Sequence, residues 1–272
     1  MIRGSLRAAA WLAGLVAGAS LLGACASSSP APAPSPPPPE RRVPSNDPQE
    51  LERRAQVRLQ LAEAYFGQGQ YDTALEEVRR SLAANPSFGP AYNLRALILA
   101  AQGDEGQAEE SFRRALQINA RDVDAMHNYG WFLCMRQRYP DAMAQFDQVL
   151  AIQRGAARTL TARGVCQARA GQWPEAEASL MRAYELDPSN PVTALNLSDV
   201  LVRRGELTRA RFYIARVNAV PDNANPQTLW LAARIEHKLG NAVGARDFGE
   251  RIRARFPQAA ELLLFDRGRF DE

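Results

Sequence analysis

Residues 89–122 read GPAYNLRALILAAQGDEGQAEESFRRALQINARD, and this stretch sets the period of the whole chain. Its Ala108 is one rung of a ladder, Ala74, Ala108, Ala142, Ala176 and Ala210, with every step 34 residues long. Other positions keep the same register. Twelve residues before each rung stands a small residue: Ala62, Ala96, Gly130, Gly164 or Ser198. Seven residues after each rung come Ser81, Ala115, Val149, Ala183 and Val217. Small side chains at these places let neighbouring helices approach closely. Four residues after each rung an apolar side chain, Val78, Phe112, Phe146, Leu180 or Ile214, fills the space between helices.

A 34-residue period is that of the tetratricopeptide repeat, a helix–turn–helix unit that buries its apolar face only against its neighbours. The punctuation agrees. Gly69, Gly103, Gly171 and Gly205 recur where a first helix must end, and Pro86 and Pro188 stand where a second helix closes. The register predicts five repeats, 55–88, 89–122, 123–156, 157–190 and 191–224. A sixth, 226–259, runs one residue out of step and is marked by Trp230, Ala233, Gly240, Ala245 and Pro257. Residues 260–272 are expected to form a short capping helix. The fold class is all-α, a superhelix of about six such repeats.

Upstream the composition changes. Met1 to Ala24 has a basic start (Arg3, Arg7), an apolar run from Ala8 to Leu22 and small residues at its end, which is the plan of a secretory signal. Its apolar run falls short of the ~20 residues that cross a bilayer as a helix. Leu22-Gly23-Ala24-Cys25 resembles the lipobox of bacterial lipoproteins, in which the cysteine is acylated and becomes the mature N-terminus. The alternative is an ordinary signal peptide followed by an incidental cysteine. Ala26, rather than Asp, follows Cys25, and the lipoprotein pattern then implies the outer membrane, facing the periplasm. Residues 25–50 are rich in Ser, Ala and Pro, including the run Pro36 to Pro39. They are expected to be a disordered stalk that reaches on the order of 70 Å at ~3.1 Å per residue.

The formal charge is +3; loss of Arg3 and Arg7 with the signal leaves 31 basic residues against 30 acidic. Nothing in that balance favours nucleic acid. His127 and His237 lie in different repeats without partners at zinc-ligand spacing. Gly67-Gln68-Gly69-Gln70 lacks the Lys and Ser/Thr of a phosphate loop. Glu76-Glu77 and Glu109-Glu110 are read as solvated helix faces, as are Arg251, Arg253 and Arg255 near the end of the sixth repeat. Neither an enzyme, a cofactor, a metal nor a small-molecule substrate is expected.

Cys134 and Cys166 occupy the first helices of the third and fourth repeats. Equivalent helices of successive repeats run side by side, so in an oxidising compartment the two can pair. Closing a loop of ~30 residues is worth roughly 3–4 kcal/mol. The alternative is two buried free thiols. On the first helix of a repeat, the second, fifth, ninth and twelfth positions are expected to face a concave surface. This rule selects Leu59, Glu63 and Phe66, then Asn93 and Leu97, then His127 and Trp131, a mixed apolar and amide lining suited to an extended or helical peptide. Trp131 reads equally well as inter-repeat core.

The third repeat carries more specific residues. Asn128-Tyr129-Gly130-Trp131-Phe132-Leu133-Cys134, Tyr139, and Ala142-Met143-Ala144-Gln145-Phe146-Asp147 resemble the PilF/PilW family, outer-membrane lipoproteins of type IV pilus biogenesis. Gly164-Val165-Cys166 matches the place of that family's second cysteine, and the ending from Leu262, with Arg267-Gly268-Arg269-Phe270, is similar to its tail. The long proline stalk departs from the family, as does the compact junction Ile152 to Ala157. The resemblance implies a pilotin: a scaffold that binds the secretin subunit of the pilus, brings it to the outer membrane and supports its assembly into multimers. A general envelope adaptor, serving outer-membrane protein assembly or cell-wall enzymes, is the rival reading.

Overall fold

The computed structural model describes residues 47–271, all of whose regular structure is helical. Six antiparallel pairs follow in order. They are α1 (Pro48–Gly67) with α2 (Tyr71–Ala84), α3 (Gly89–Gln102) with α4 (Glu105–Ile118), and α5 (Val123–Met135) with α6 (Tyr139–Ile152). Then come α7 (Ala157–Arg169) with α8 (Trp173–Leu186), α9 (Pro191–Arg203) with α10 (Leu207–Asn218), and α11 (Pro226–Lys238) with α12 (Ala242–Arg255). A thirteenth helix, α13 (Ala260–Asp266), covers the end of the array, packing on α11 and α12.

Local chemistry sets the ends. Asp47, Asp104, Asp122, Asn190, Asn225 and Asn241 each accept a hydrogen bond from a backbone N–H in the first turn of the helix that follows. With Asp47 as cap, Pro48 at the start and Glu50 in the first turn, α1 begins earlier than the repeat register predicts, so residues 48–50 belong to the helix rather than to the linker. The turn between the two helices of a pair needs a left-handed residue. Glycine provides it in five pairs, as at Gly103 (φ 85°), but in the third pair the place falls to Gln137 at φ 60°.

The ladder is the core. All five alanine rungs are fully buried, as are Val78, Phe112, Phe146 and Leu180, while Ile214 is 1% exposed. At Gly130 an added Cβ would lie 2.8 Å from Phe146 Cε1, and at Gly164 it would lie 2.6 Å from Leu180 Cγ. Those two glycines are therefore helix-crossing points. Four apolar clusters run along the array and share members, Leu75 between the first two and Phe248 between the last two. The second and third clusters share no residue; they meet inside the fourth repeat, where α7 (Ala162, Cys166) packs against α8 (Ala176, Leu180).

Of the two carboxylate pairs read as solvated, Glu110 is exposed as expected, but Glu77 and Glu109 are structural. Glu77 is buried and salt-bridged by Arg58 (2.9 Å) and Arg80 (2.8 Å), tying α1 to α2. Glu109 accepts from Tyr129 and Arg138, both at 2.8 Å, linking the second repeat to the third. Burial raises the pKa of this carboxyl, but the bonds from Arg138 and Tyr129 outweigh it and hold the value below the usual range. At the far end Arg251 and Arg255 donate to the carbonyls of Asn218 and Pro221, and Arg253 pairs with Asp266. Arg253 and Arg255 are exposed as expected, yet all three arginines also bond to segments packed beside α12.

Candidate functional site

First helices meet along the array: α1 touches α3, α3 touches α5, and so on to α11. Second helices of successive repeats make no such contacts among the described residues. The side on which neighbours are closer is the inner side of a curved stack, so the first helices line the concave face.

On that face, repeats one to three form a groove of about 340 Å³. Phe66, Leu94 and Leu97 give it an apolar floor, and Glu63, Asp122 and Asp124 put three carboxylates on its rim. Asn93 and Asn128 cross it as bonded amides: Asn128 Nδ2 donates to Asn93 Oδ1 at 3.2 Å, and Arg158 donates to Asn128 Oδ1 at 3.2 Å. The bonds fix these side chains before any partner arrives, which lowers the entropy cost of binding.

The structure brings Glu63, Phe66, Asn93 and Leu97 together in this groove, but not the other residues expected there. Leu59 is 3% exposed and belongs to the core of the first two repeats. His127 is also buried, its Nδ1 3.0 Å from Thr159 Oγ1 and its ring against Phe146. Burial, and secondarily the Arg158 charge, lowers its pKa to about 4, so it is neutral at pH 7. At the fifth position of the repeat, Leu59 and His127 are buried, whereas Asn93 in repeat two stays half-exposed. Trp131 is 37% exposed and outside both the core and the groove.

A second groove of about 250 Å³ lies on the same face in repeats five and six, lined by Leu195, Asn196, Asp199, Gln227, Trp230, Leu231 and Arg234, with Glu261 from α13. The rule that selected Asn93 and Leu97 also selects Leu195, Asp199, Trp230 and Arg234 when it is continued into these repeats. That signal was present in the sequence. A third depression, about 650 Å³, lies on α1 and α2 of the first repeat. Val57 and Leu61 are 43% and 40% exposed there among Arg53, Arg54, Arg58 and Arg80. Nothing in the repeat register marks it, because the register says only how repeats meet.

Cys134 and Cys166 are fully buried and joined by a disulfide between α5 and α7, with a Cα–Cα distance of 5.8 Å. Among the described residues no group of three or more His, Cys, Asp or Glu is placed to hold a metal ion, and no helix is long and apolar enough to cross a membrane. Cys25, the signal segment and most of the proline-rich linker lie outside the described residues.

Tetratricopeptide-repeat models match residues 59–123, 99–164 and 157–180. The type IV pilus assembly protein PilF of Pseudomonas aeruginosa is 24% identical over 211 residues, 76% of this chain and 82% of that one. Its solved structure superposes with a TM-score of 0.70 at 21% identity, covering 80% of this chain and 99% of that one. The crystal structure of PilW, described as a widely conserved type IV pilus biogenesis factor, superposes with a TM-score of 0.72 at 31% identity, covering 77% of this chain and 96% of that one. With that identity over nearly the whole of PilW, the chain belongs to the PilF/PilW family of tetratricopeptide-repeat proteins of type IV pilus biogenesis.

Proposed function

We propose that this protein is a lipid-anchored scaffold of the outer membrane that binds the secretin subunit of the type IV pilus and promotes its localisation and assembly into multimers. The observation that carries the reading is the 31% identity to PilW across 96% of that chain. Work is done by binding rather than by chemistry. Acyl chains on Cys25 supply the destination, since several chains on one residue hold a protein at a bilayer where one does not. The concave groove of repeats one to three supplies capture: its floor of Phe66 and Leu97 takes apolar side chains, and its acidic rim favours a segment that also carries Lys or Arg.

Deletion of the gene tests this directly, scored by secretin multimers on a denaturing gel and by twitching. Loss of both, restored by the wild-type gene, is the expected result; normal multimers in the deletion strain would end the proposal. Complementation then locates the capture surface. Charge reversal at the exposed rim, Glu63→Lys with Asp124→Lys, is expected to lower multimer level without unfolding the array. If only Leu61→Glu does so, the docking surface is the depression on α1 and α2 instead.

A further inference from the structure

The segment after α13 does not leave the array. It turns at Gly268 (φ 66°) and comes back across α11. There the Phe270 ring lies parallel to the His237 imidazole, with centroids 4.1 Å apart and planes at 11°. It also stacks on Trp230 at 5.3 Å and meets Phe265 edge-on at 6.0 Å. Arg234 Nε donates to the Phe270 carbonyl at 3.2 Å, and Lys238 pairs with the Asp271 carboxylate at 2.7 Å. The bond to Lys238 is the largest influence on Asp271 and holds its carboxyl below the usual range, with the charges of His237 and Arg234 adding to it.

The place matters as much as the contacts. Trp230, Arg234 and His237 stand at the fifth, ninth and twelfth positions of the sixth repeat; the counterparts Asn93 and Leu97 in repeat two and Phe66 in repeat one line the first groove. Trp230 and Arg234 also form the wall of the groove in repeats five and six. The returning segment therefore lies where a bound peptide would lie. Its contacts are those of a ligand: an aromatic ring in an aromatic slot, a main-chain carbonyl on a guanidinium, and a carboxylate on an ammonium. Around them Arg267, Gly268, Arg269 and Asp271 remain exposed, so little burial beyond the Phe270 ring keeps the segment in place.

We propose that the concave wall of the sixth repeat is a second peptide-recognition site, selective for an aromatic residue followed by an acidic one, and that Phe270-Asp271 occupies it in cis until a protein segment of the same chemistry displaces it. The tail acts as a tethered competitor. A tether this short gives it an effective concentration in the millimolar range, so an outside segment binds more weakly by the fraction of time the site is filled. This proposal goes beyond the secretin reading and does not depend on it.

The test uses purified full-length protein without its signal segment, and a fluorescein-labelled peptide with the sequence of residues 266–272, read by anisotropy. Phe270→Ala empties the slot while leaving Leu262, the buried residue of α13, in place. Phe270→Ala is expected to bind the peptide at least tenfold more tightly than the wild-type chain. Replacing the peptide's Phe by Ala, or its Asp by Asn, is expected to remove most of that gain. Arg234→Ala in the Phe270→Ala background should lower binding again. A chain ending at Asp266 should behave as Phe270→Ala does; if it fails to fold, the Phe270→Ala arm decides alone. If Phe270→Ala keeps the wild-type circular dichroism and binds the peptide no better than wild type, the tail is only a cap and the proposal is wrong. Because the readout is binding by the pure protein, its failure leaves the pilus assay untouched, and the converse also holds.

Discussion

Reducing the Cys134–Cys166 disulfide is expected to cost about 3.7 kcal/mol of folding stability. The bond closes a loop with a sequence separation of 32 and joins two first helices that are adjacent in the stack. In the chain-entropy relation that separation removes about 12 cal/mol/K from the unfolded ensemble, which is about 3.7 kcal/mol at 25 °C. Both cysteines are buried among Phe112, Phe132 and Phe146, so reductant reaches them only when the third and fourth repeats open. The protein is therefore reduced in urea, refolded with reductant, and compared with the oxidised form by urea titration followed at 222 nm. With a urea m-value of about 2–3 kcal/mol/M, the midpoint should fall by roughly 1–2 M. The thermal midpoint should fall by roughly 7–15 °C. Midpoints that agree to within about 0.3 M would refute the reasoning, as would alkylation of both thiols in protein purified from the periplasm without reductant.

Three further effects follow from particular residues. Gln137 holds the left-handed conformation that glycine takes in the other turns, so Gln137→Gly should stabilise by about 1 kcal/mol and Gly103→Ala should destabilise by a similar amount, both read by urea titration. Gly164→Ala puts a methyl group against Leu180 Cγ and the Ala176 carbonyl and should cost about 1–3 kcal/mol. Combined with Leu180→Ala, which alone costs about 2–5 kcal/mol, it should cost less than the sum, because the cavity receives the methyl. His127 is held neutral, with its pKa lowered to about 4 from an ordinary value near 6.5. The unfolded chain then binds more protons below pH 6.5, so this contribution is complete above pH 6.5 and is lost as pH falls towards 4. Wild type should lose about 2–3 kcal/mol more than His127→Gln over that range in urea titrations; equal losses would contradict the assignment.

The repeat array was legible because burial in a solenoid is periodic. Ala74 to Ala210 and Val78 to Ile214 must recur at 34-residue steps wherever one helix pair meets the next. The pairing of Cys134 with Cys166 was foreseeable from the same architecture, since equivalent helices of successive repeats lie side by side. The groove was only half legible. Register gives the angular position of a side chain but not the partners that bury it: Leu59 joins the core of the first two repeats and His127 meets Thr159 and Phe146, while Asn93 at the same position stays half-exposed. Polar residues misled where long-range partners decide. Nothing local to Glu77 shows that Arg58, nineteen positions earlier, will bury it. The return of Phe270 onto His237 is of the same kind, a contact across 33 residues with no periodic signature.

The claim at the centre is that membrane attachment and secretin binding act in one molecule, and Cys25→Ser separates them. The measurement is the amount and membrane location of secretin multimers in a deletion strain complemented with this variant, produced at wild-type level. The expected result is a folded variant that still binds secretin, with multimers depleted from the outer membrane and piliation lost. Normal outer-membrane multimers and normal piliation would contradict the account.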